Sequence, residues 1–534
     1  MNHHERYLTW MLIASAAILS LSLSGRALWD PDEGRYAEMA REILALHDWV
    51  TPHLNFLLYF EKPMLFMWLE ALSFKIFGVS EGSAHVIPLV SALGGVALVG
   101  LMAWKLWGRR AGLVAALSLI TSLEYFFLAS AVDINMPLAL FITSALVFFW
   151  LGHKEKNTLY ILLSWASMAL ATLTKGPIGV ILPLGSICIY ILLSRQFSLI
   201  RESRPVSGIL LLLAIASPWF ILVSIKNPDF FSFFFINQNL ERYTSSSERY
   251  QPFFYFVPVI LGGALPWTFL LPSAVKEIWK NKMPKEVLYI VVWFSLIFLF
   301  FTPSHSKLAT YVLPCFPPLS LMLGYACKGS PKKGGLPLNL TGILWLCMGV
   351  ILVLFPVLQS HGIVHISSEG AIPLIPIGTM AGAILIFATV IGIWLGRKYD
   401  NALGLAMMGM AIMILAITFA PRWDSLRSTK SLVQDLPSSA KLYAYRGYCQ
   451  SSSFYSQRQV GLVESVGELE FGIKHNLGKG VVITADELAA SMKTDKNIYC
   501  LTDKDNIPNL RKMMPLLAIV KQTNDLCLLR VPGP

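Results

Sequence analysis

Charge is what this chain has least of: Asp, Glu, Lys and Arg together make up 14% of its 534 residues, while 55% are hydrophobic. So small a polar share cannot solvate a set of soluble domains of that length, so a bilayer must be the solvent for much of the chain. Cysteine is scarce as well, with seven residues and no CxxC spacing. That excludes a thiolate zinc ribbon and a dithiol redox motif. Cys188, Cys315, Cys327 and Cys347 fall in or beside apolar stretches. Cys449, Cys500 and Cys527 fall in the C-terminal region, where an oxidising exterior permits one disulfide among them or leaves all of them unpaired. No internal repeat is visible, and the distinctive acids and bases avoid the centres of the apolar stretches. Both absences count against a lipid or sugar transporter built on inverted repeats with a midplane site.

What is present is a series of apolar stretches of about 20 residues, the length that crosses hydrocarbon. They lie near 7–24, 84–104, 111–130, 134–151, 158–172, 176–194, 206–225, 253–273, 286–302, 308–326, 338–358, 370–395 and 401–420, so thirteen spans are expected. Ser24-Gly25-Arg26 is a poor signal-peptide cleavage site, and the first span is read as a retained helix. With the N-terminus cytoplasmic, the inner segments carry eighteen Lys and Arg residues, whereas the four short outer connections carry only Lys175 and Lys307. This is the positive-inside pattern. Merging 111–130 with 134–151, or 158–172 with 176–194, would reverse every later loop and destroy it. The net charge of +11 then calls for membrane lipid headgroups as partners, not nucleic acid.

Two outer loops are long, residues 25–83 and 226–252, and both belong to a membrane domain of residues 1–420. Residues 421–534 lie outside and alternate short β-rich runs (Lys441–Tyr445, Gly480–Thr484, Leu526–Arg530) with helical stretches, as a small soluble α/β domain would. Within the first loop, Asp32–Ala45 and Pro63–Phe77 have helical periodicity. Tyr36, Met39, Ile43 and Leu44 line one face of the first helix, and Leu65, Trp68, Leu72 and Ile76 one face of the second. Both are expected to lie in the membrane interface with those faces at headgroup level.

Trp29-Asp30-Pro31-Asp32-Glu33-Gly34-Arg35-Tyr36 places a cluster of carboxylates and an arginine at the outer end of the first span. Asp32 is placed to cap the following helix. A second outer acid, Asp133, sits in a connection so short that it must lie at the bilayer boundary, where an ionisable group is costly unless something pairs with it or uses it. Tyr59-Phe60-Glu61-Lys62-Pro63 puts a cation at the start of the second loop helix. Arg35 supplies a planar fork of donors and Lys62 a compact charge, together a cradle for a phosphate. Taken singly, each also fits a plainer role, Asp32 in capping and Arg35 and Lys62 in snorkelling toward headgroups. Ser304-His305-Ser306-Lys307 invites a nucleophile reading, but no acid is placed to orient the histidine, and a structural turn is the better account.

Asp32-Glu33-Gly34-Arg35-Tyr36-Ala37-Glu38, Tyr59-Phe60-Glu61-Lys62-Pro63 and Ser306-Lys307-Leu308-Ala309-Thr310-Tyr311-Val312-Leu313-Pro314 resemble the signatures of ArnT-type lipid A aminoarabinose transferases. These stand within a wider group that includes the dolichyl-phosphate-mannose protein mannosyltransferases. The resemblance covers the membrane half well and the C-terminal region in general plan. It implies a mainly α, GT-C polytopic bundle in the bacterial inner membrane, with the active site and C-terminal domain periplasmic. It also implies transfer of 4-amino-4-deoxy-L-arabinose from undecaprenyl phosphate to lipid A or another envelope acceptor, the alternative being a protein or polysaccharide acceptor. By motif position, Asp32 and Asp133 match the family's paired acids, Arg35 and Lys62 the residues that hold the carrier phosphate, and Tyr59 and Tyr311 tyrosines lining the site. Glu61 matches a metal-binding carboxylate, and Arg242, in Asn237-Gln238-Asn239-Leu240-Glu241-Arg242-Tyr243, a gate or phosphate contact. Relatives often show a histidine where this chain has Asn239, a poor ligand for a zinc-like ion. That departure weakens the case for a divalent metal ion, and no other cofactor is implied.

Overall fold

The computed structural model describes residues 3–23, 26–241, 250–360, 374–477, 481–495 and 497–531. The chain divides into two compact units: Met1–Ser22, Pro88–Ile221 and Phe235–Phe419 form the first, and Leu23–Ile87, Leu222–Phe234 and Ala420–Pro534 form the second.

The first unit is a bundle of apolar helices. Among the described residues, seven helices are long and apolar enough to cross a membrane, or nine if each of two bent pairs is one span. The bent pairs are Arg109–Ile120 with Leu123–Ala129, at 66°, and Phe256–Gly263 with Thr268–Lys280, at 101°. The expected thirteen windows all contain helix, but several helices are short. Ile178–Ser194 and Lys285–Phe301 have 17 residues each, and 308–326 divides into a 3₁₀ turn, Ala309–Cys315, and a helix, Phe316–Ala326. Packing is close where side chains are small. A Cβ on Gly382 would collide with the Gly349 carbonyl oxygen, so helices Leu336–Ser360 and Leu374–Lys398 meet backbone to backbone there. The cytoplasm-directed end expected from the charge pattern holds a buried ion pair, Arg110 with Asp400 at 2.6 Å.

The second unit joins the first long loop to the C-terminal region. Strands β1 (His53–Leu54) and β2 (Leu57–Leu58) form a hairpin. Strands β3 (Lys441–Tyr445), β4 (Gly461–Val463), β5 (Val482–Ile483), β6 (Ile498–Asp503), β7 (Ala518–Gln522) and β8 (Leu526–Arg530) form one sheet in the order β5-β4-β3-β6-β8-β7. Strands β3 to β6 pair in parallel, while β8 pairs antiparallel with both β6 and β7. An α/β domain is what the alternation of runs predicts. All seven cysteines are free, including Cys449, Cys500 and Cys527, so the disulfide permitted by sequence is absent. Cys500 lies opposite Leu529 and Cys527 opposite Thr502, so these two thiols occupy offset positions on neighbouring strands.

The loop helices depart from expectation in one respect. The first, Asp32–Leu46, is buried from Glu33 to Ile43, so its apolar face meets protein where headgroups were expected. Its partners are the second loop helix, where Tyr36 packs edge-on against Phe66, and the C-terminal helix Gln450–Ser456, whose neighbourhood also ties down the chain just before the first helix. Asp30, just before the helix, accepts from the Ser451 N–H at 2.7 Å, and the Leu28 N–H donates to the Tyr455 hydroxyl at 2.8 Å. Asn55 and Phe56, at the hairpin tip, have φ of +56° and +60°. This left-handed turn is costly for phenylalanine, and Asn55 anchors it by exchanging 2.8 Å hydrogen bonds with the Val460 backbone. The second helix, Leu65–Phe77, keeps Leu72, Ile76 and Phe77 exposed, an apolar stripe that fits the interfacial reading.

Carboxyls buried in this unit are either paired or held neutral. Glu38 is clamped by Arg41 through two 2.7 Å bonds. Burial opposes ionisation of Glu33, but Arg26 and His85 together outweigh it and hold its pKa at about 2. Neither oxygen of Glu70 has a hydrogen-bond partner among the described residues, and burial, reinforced by Glu33, pushes its pKa well above the usual range. In the unfolded chain Glu70 ionises near 4.5, so above that pH folding must take up a proton. The contribution of Glu70 to stability is therefore complete below its unfolded pKa and is lost as pH rises toward the folded value. Glu70→Gln, which needs no proton, is expected to melt higher than wild type at pH 7 in detergent, with the gap closing toward pH 4. A constant gap across that range would contradict the protonated state.

Candidate functional site

Asp32 opens its helix, but it does not cap it. Pro31 occupies the cap position without a side-chain bond to the backbone, and the Asp32 carboxylate turns to the next turn of helix, where it meets the Arg35 guanidinium at 2.7 Å. Residues three apart on a helix share a face, so Asp-x-x-Arg predisposes this pair. The second arm of the Arg35 fork meets Glu468 at 2.8 Å. Glu468 lies in the turn Gly467–Leu469 that follows β4, and Gln450, which follows β3, donates to its other oxygen at 2.6 Å. The Tyr59 hydroxyl donates to Glu468 at 3.3 Å.

This arrangement holds the arginine charged but unsaturated. Burial works against its charge, yet the Glu468 and Asp32 carboxylates around it keep its pKa well above the usual arginine value. Its Nε is buried without a hydrogen-bond partner among the described residues. The Asp32 side chain is 50% exposed and that of Arg35 11%, so the pair opens outward on the aspartate side. Burial also pushes the Tyr59 phenol well above its ordinary range, which makes it a neutral donor. Lys62 donates to the Glu61 carbonyl at 3.1 Å and stands 4.0 Å from the Glu61 carboxylate. These residues do not fit a divalent ion. Glu61 has an ammonium beside it, and among the described residues no three His, Cys, Asp or Glu side chains group as a ligand set.

In the first unit, Asp133 is buried and accepts from the Asn135 N–H at 2.5 Å, which stabilises the start of helix Asn135–Glu155. The Asn135 side chain in turn accepts from Lys175, whose ammonium lies 4.6 Å from the centre of the Tyr311 ring. Lys175 ends helix Thr158–Lys175, and Gly176, at φ +84°, lets the chain turn at once into Ile178–Ser194. Lys307 is buried and donates to the Ser304 and Gln251 carbonyls at 2.6 and 3.1 Å. It pins the turn, as the structural account of that motif requires. Arg242 and the side chain of Asn239 lie outside the described residues.

The structure therefore brings Asp32, Arg35 and Tyr59 together, sets Lys62 beside Glu61, and joins Asp133 to Tyr311 through Asn135 and Lys175. Glu468, Gln450 and Lys175 were not among the sequence candidates. The first two stand beyond the carboxyl ends of parallel strands, where open α/β sheets bind ligands. That rule, applied to the β-run 441–445 and the segment after it, was the available signal.

Comparison with known proteins places two families on the chain: dolichyl-phosphate-mannose-protein mannosyltransferase over residues 61–222, and the aminoarabinose transferase C-terminal domain over residues 428–529. An undecaprenyl phosphate-α-4-amino-4-deoxy-L-arabinose arabinosyl transferase of Pectobacterium carotovorum is 32% identical over 372 residues, covering 68% of this chain and 67% of that one. The protein of the same name from Erwinia tasmaniensis is 28% identical over 505 residues, 91% of each chain. The crystal structure of ArnT from Cupriavidus metallidurans bound to undecaprenyl phosphate is similar over 99% of both chains, with a TM-score of 0.85 and 27% identity.

Proposed function

We infer the activity from one premise: the chain belongs to the undecaprenyl phosphate-α-4-amino-4-deoxy-L-arabinose arabinosyl transferase family. It is a multi-pass membrane glycosyltransferase of GT-C fold that uses an undecaprenyl-phosphate-linked aminosugar as donor. The observation that carries this reading is the likeness along 99% of the chain to a transferase holding undecaprenyl phosphate.

The finer reading is that the acceptor is a phosphate of lipid A and that the site faces the periplasm across a bundle of thirteen spans. The charge asymmetry of the loops supports that orientation. In the reaction, the bond between the anomeric carbon and the carrier phosphate breaks as the acceptor oxygen bonds to that carbon. Arg35 and Lys62 take up the negative charge that grows on the departing phosphate, the term that dominates such reactions. Tyr59 donates to the same group, and Tyr311, by its place in the motif, is a further residue lining the sugar. Arg242, by its place in the motif, is a further phosphate contact. Asp133 or Asp32 would act as base toward a hydroxyl acceptor, whereas a phosphate acceptor is already anionic and needs orientation more than deprotonation.

The test is the mass of lipid A from cells with and without this chain, grown where the donor sugar is made. The expected outcome is one added aminopentose per modified phosphate only when the chain is present. Unchanged lipid A would move the acceptor to protein or polysaccharide.

A further inference from the structure

The site gathered around Arg35 contains more negative charge than its arginine can balance. Asp32 and Glu468 both contact the guanidinium, at 2.7 and 2.8 Å. A phosphodiester arriving at Arg35 would add another anion to a cation already shared by two carboxylates, and like charges that close in a partly buried site repel strongly. A ligand that carried its own positive charge beside the phosphate would remove the conflict. The aminosugar carrier is such a ligand, because its ammonium and phosphodiester are held a few bonds apart on one ring.

We propose that Glu468 is a specificity-determining residue that receives the ammonium group of the donor sugar once the carrier phosphate takes its place on Arg35. The inference rests on the donor reading above. Glu468 suits the task by position and by what holds it. Gln450 fixes one carboxylate oxygen at 2.6 Å, leaving the oxygen shared by Arg35 and Tyr59 to change partner. The side chain is 18% accessible, enough for a ligand atom to reach it and little enough for water to compete weakly. Asp32, the other carboxylate on Arg35, is half exposed and would be a weaker counter-ion. Glu468 and Gln450 both follow parallel strands at their carboxyl ends, so the C-terminal domain supplies the group that reads the sugar while the first loop supplies the group that reads the phosphate.

The experiment uses the full chain in detergent, wild type and Glu468→Gln. It measures kcat/KM with the undecaprenyl-phosphate-linked aminosugar and Kd for undecaprenyl phosphate alone. The expected result is a loss of about 10- to 100-fold in kcat/KM, the worth of a hydrogen bond to a charged group, with Kd for the bare carrier unchanged or lower. Equal losses in both quantities would overturn the proposal, because Glu468 would then only position Arg35. No loss in either would overturn it as well. If the variant does not accumulate, the wild type carries the test: acetylating the sugar amine should weaken binding about tenfold, and equal affinity would contradict the proposal. Absence of any turnover by the wild type on the aminosugar donor would instead sink the donor reading itself.

Discussion

Arg35→Ala is expected to lower kcat/KM for aminosugar transfer by about 10²- to 10³-fold, the cost of removing one preorganised partner of a developing oxyanion. The expectation follows from geometry more than from charge alone. Arg35 is held by Asp32 and Glu468 on two arms of its fork, so it meets a phosphate with its position already fixed. Arg35→Lys should recover little, because an ammonium cannot offer the planar pair of donors that the site orients. Lys62→Ala should lose activity on the same scale. Initial rates at subsaturating donor check all three, with carrier binding measured alongside. Rates within threefold of wild type for both alanine variants would contradict the phosphate role.

Asp133→Asn should separate the two acceptor chemistries. On a hydroxyl acceptor a lost general base costs about 10²- to 10⁴-fold. On a phosphate acceptor, which brings its own anionic oxygen, the loss should be nearer tenfold and reflect only orientation. Asp133 is suited to an orienting role, since it is buried, bonded to the Asn135 N–H and linked through Asn135 to Lys175. Asp32→Asn should follow the same contrast with an added effect on carrier binding, because Asp32 holds one arm of Arg35. Assays with a lipid A phosphate and with a simple sugar hydroxyl read the difference. Equal severe losses on both acceptors would show that these acids stabilise the sugar's developing positive charge and are not bases.

Much of this site could be found in the sequence because it is local there. Asp32 and Arg35 are one helical turn apart, Tyr59 and Lys62 share a five-residue motif, and the spans announce themselves by length and hydropathy. What escaped lies at long separation. Amphipathicity tells that Asp32–Leu46 has an apolar face and not what covers it. Part of the cover is Phe66 of the second loop helix, and part is the helix Gln450–Ser456, roughly 400 residues on. Glu468 is an ordinary acid in an ordinary turn until β4 and the first loop bring it to Arg35. Lys175 was counted only as a basic residue at an outer boundary, since nothing near it in sequence marks Asn135 or Tyr311 as partners. The span count suffers from the opposite problem: helices as short as 11 residues and helices bent by 66° or 101° satisfy a hydropathy window without declaring how they cross.

The most direct test of the central claim is transfer by the purified full-length chain, given undecaprenyl-phosphate-linked 4-amino-4-deoxy-L-arabinose and lipid A in mixed micelles, with both lipids weighed by mass spectrometry. The account predicts that undecaprenyl phosphate is released one for one with aminoarabinose gained on a lipid A phosphate. Release of undecaprenyl phosphate without sugar on lipid A, or no release at all, would contradict it.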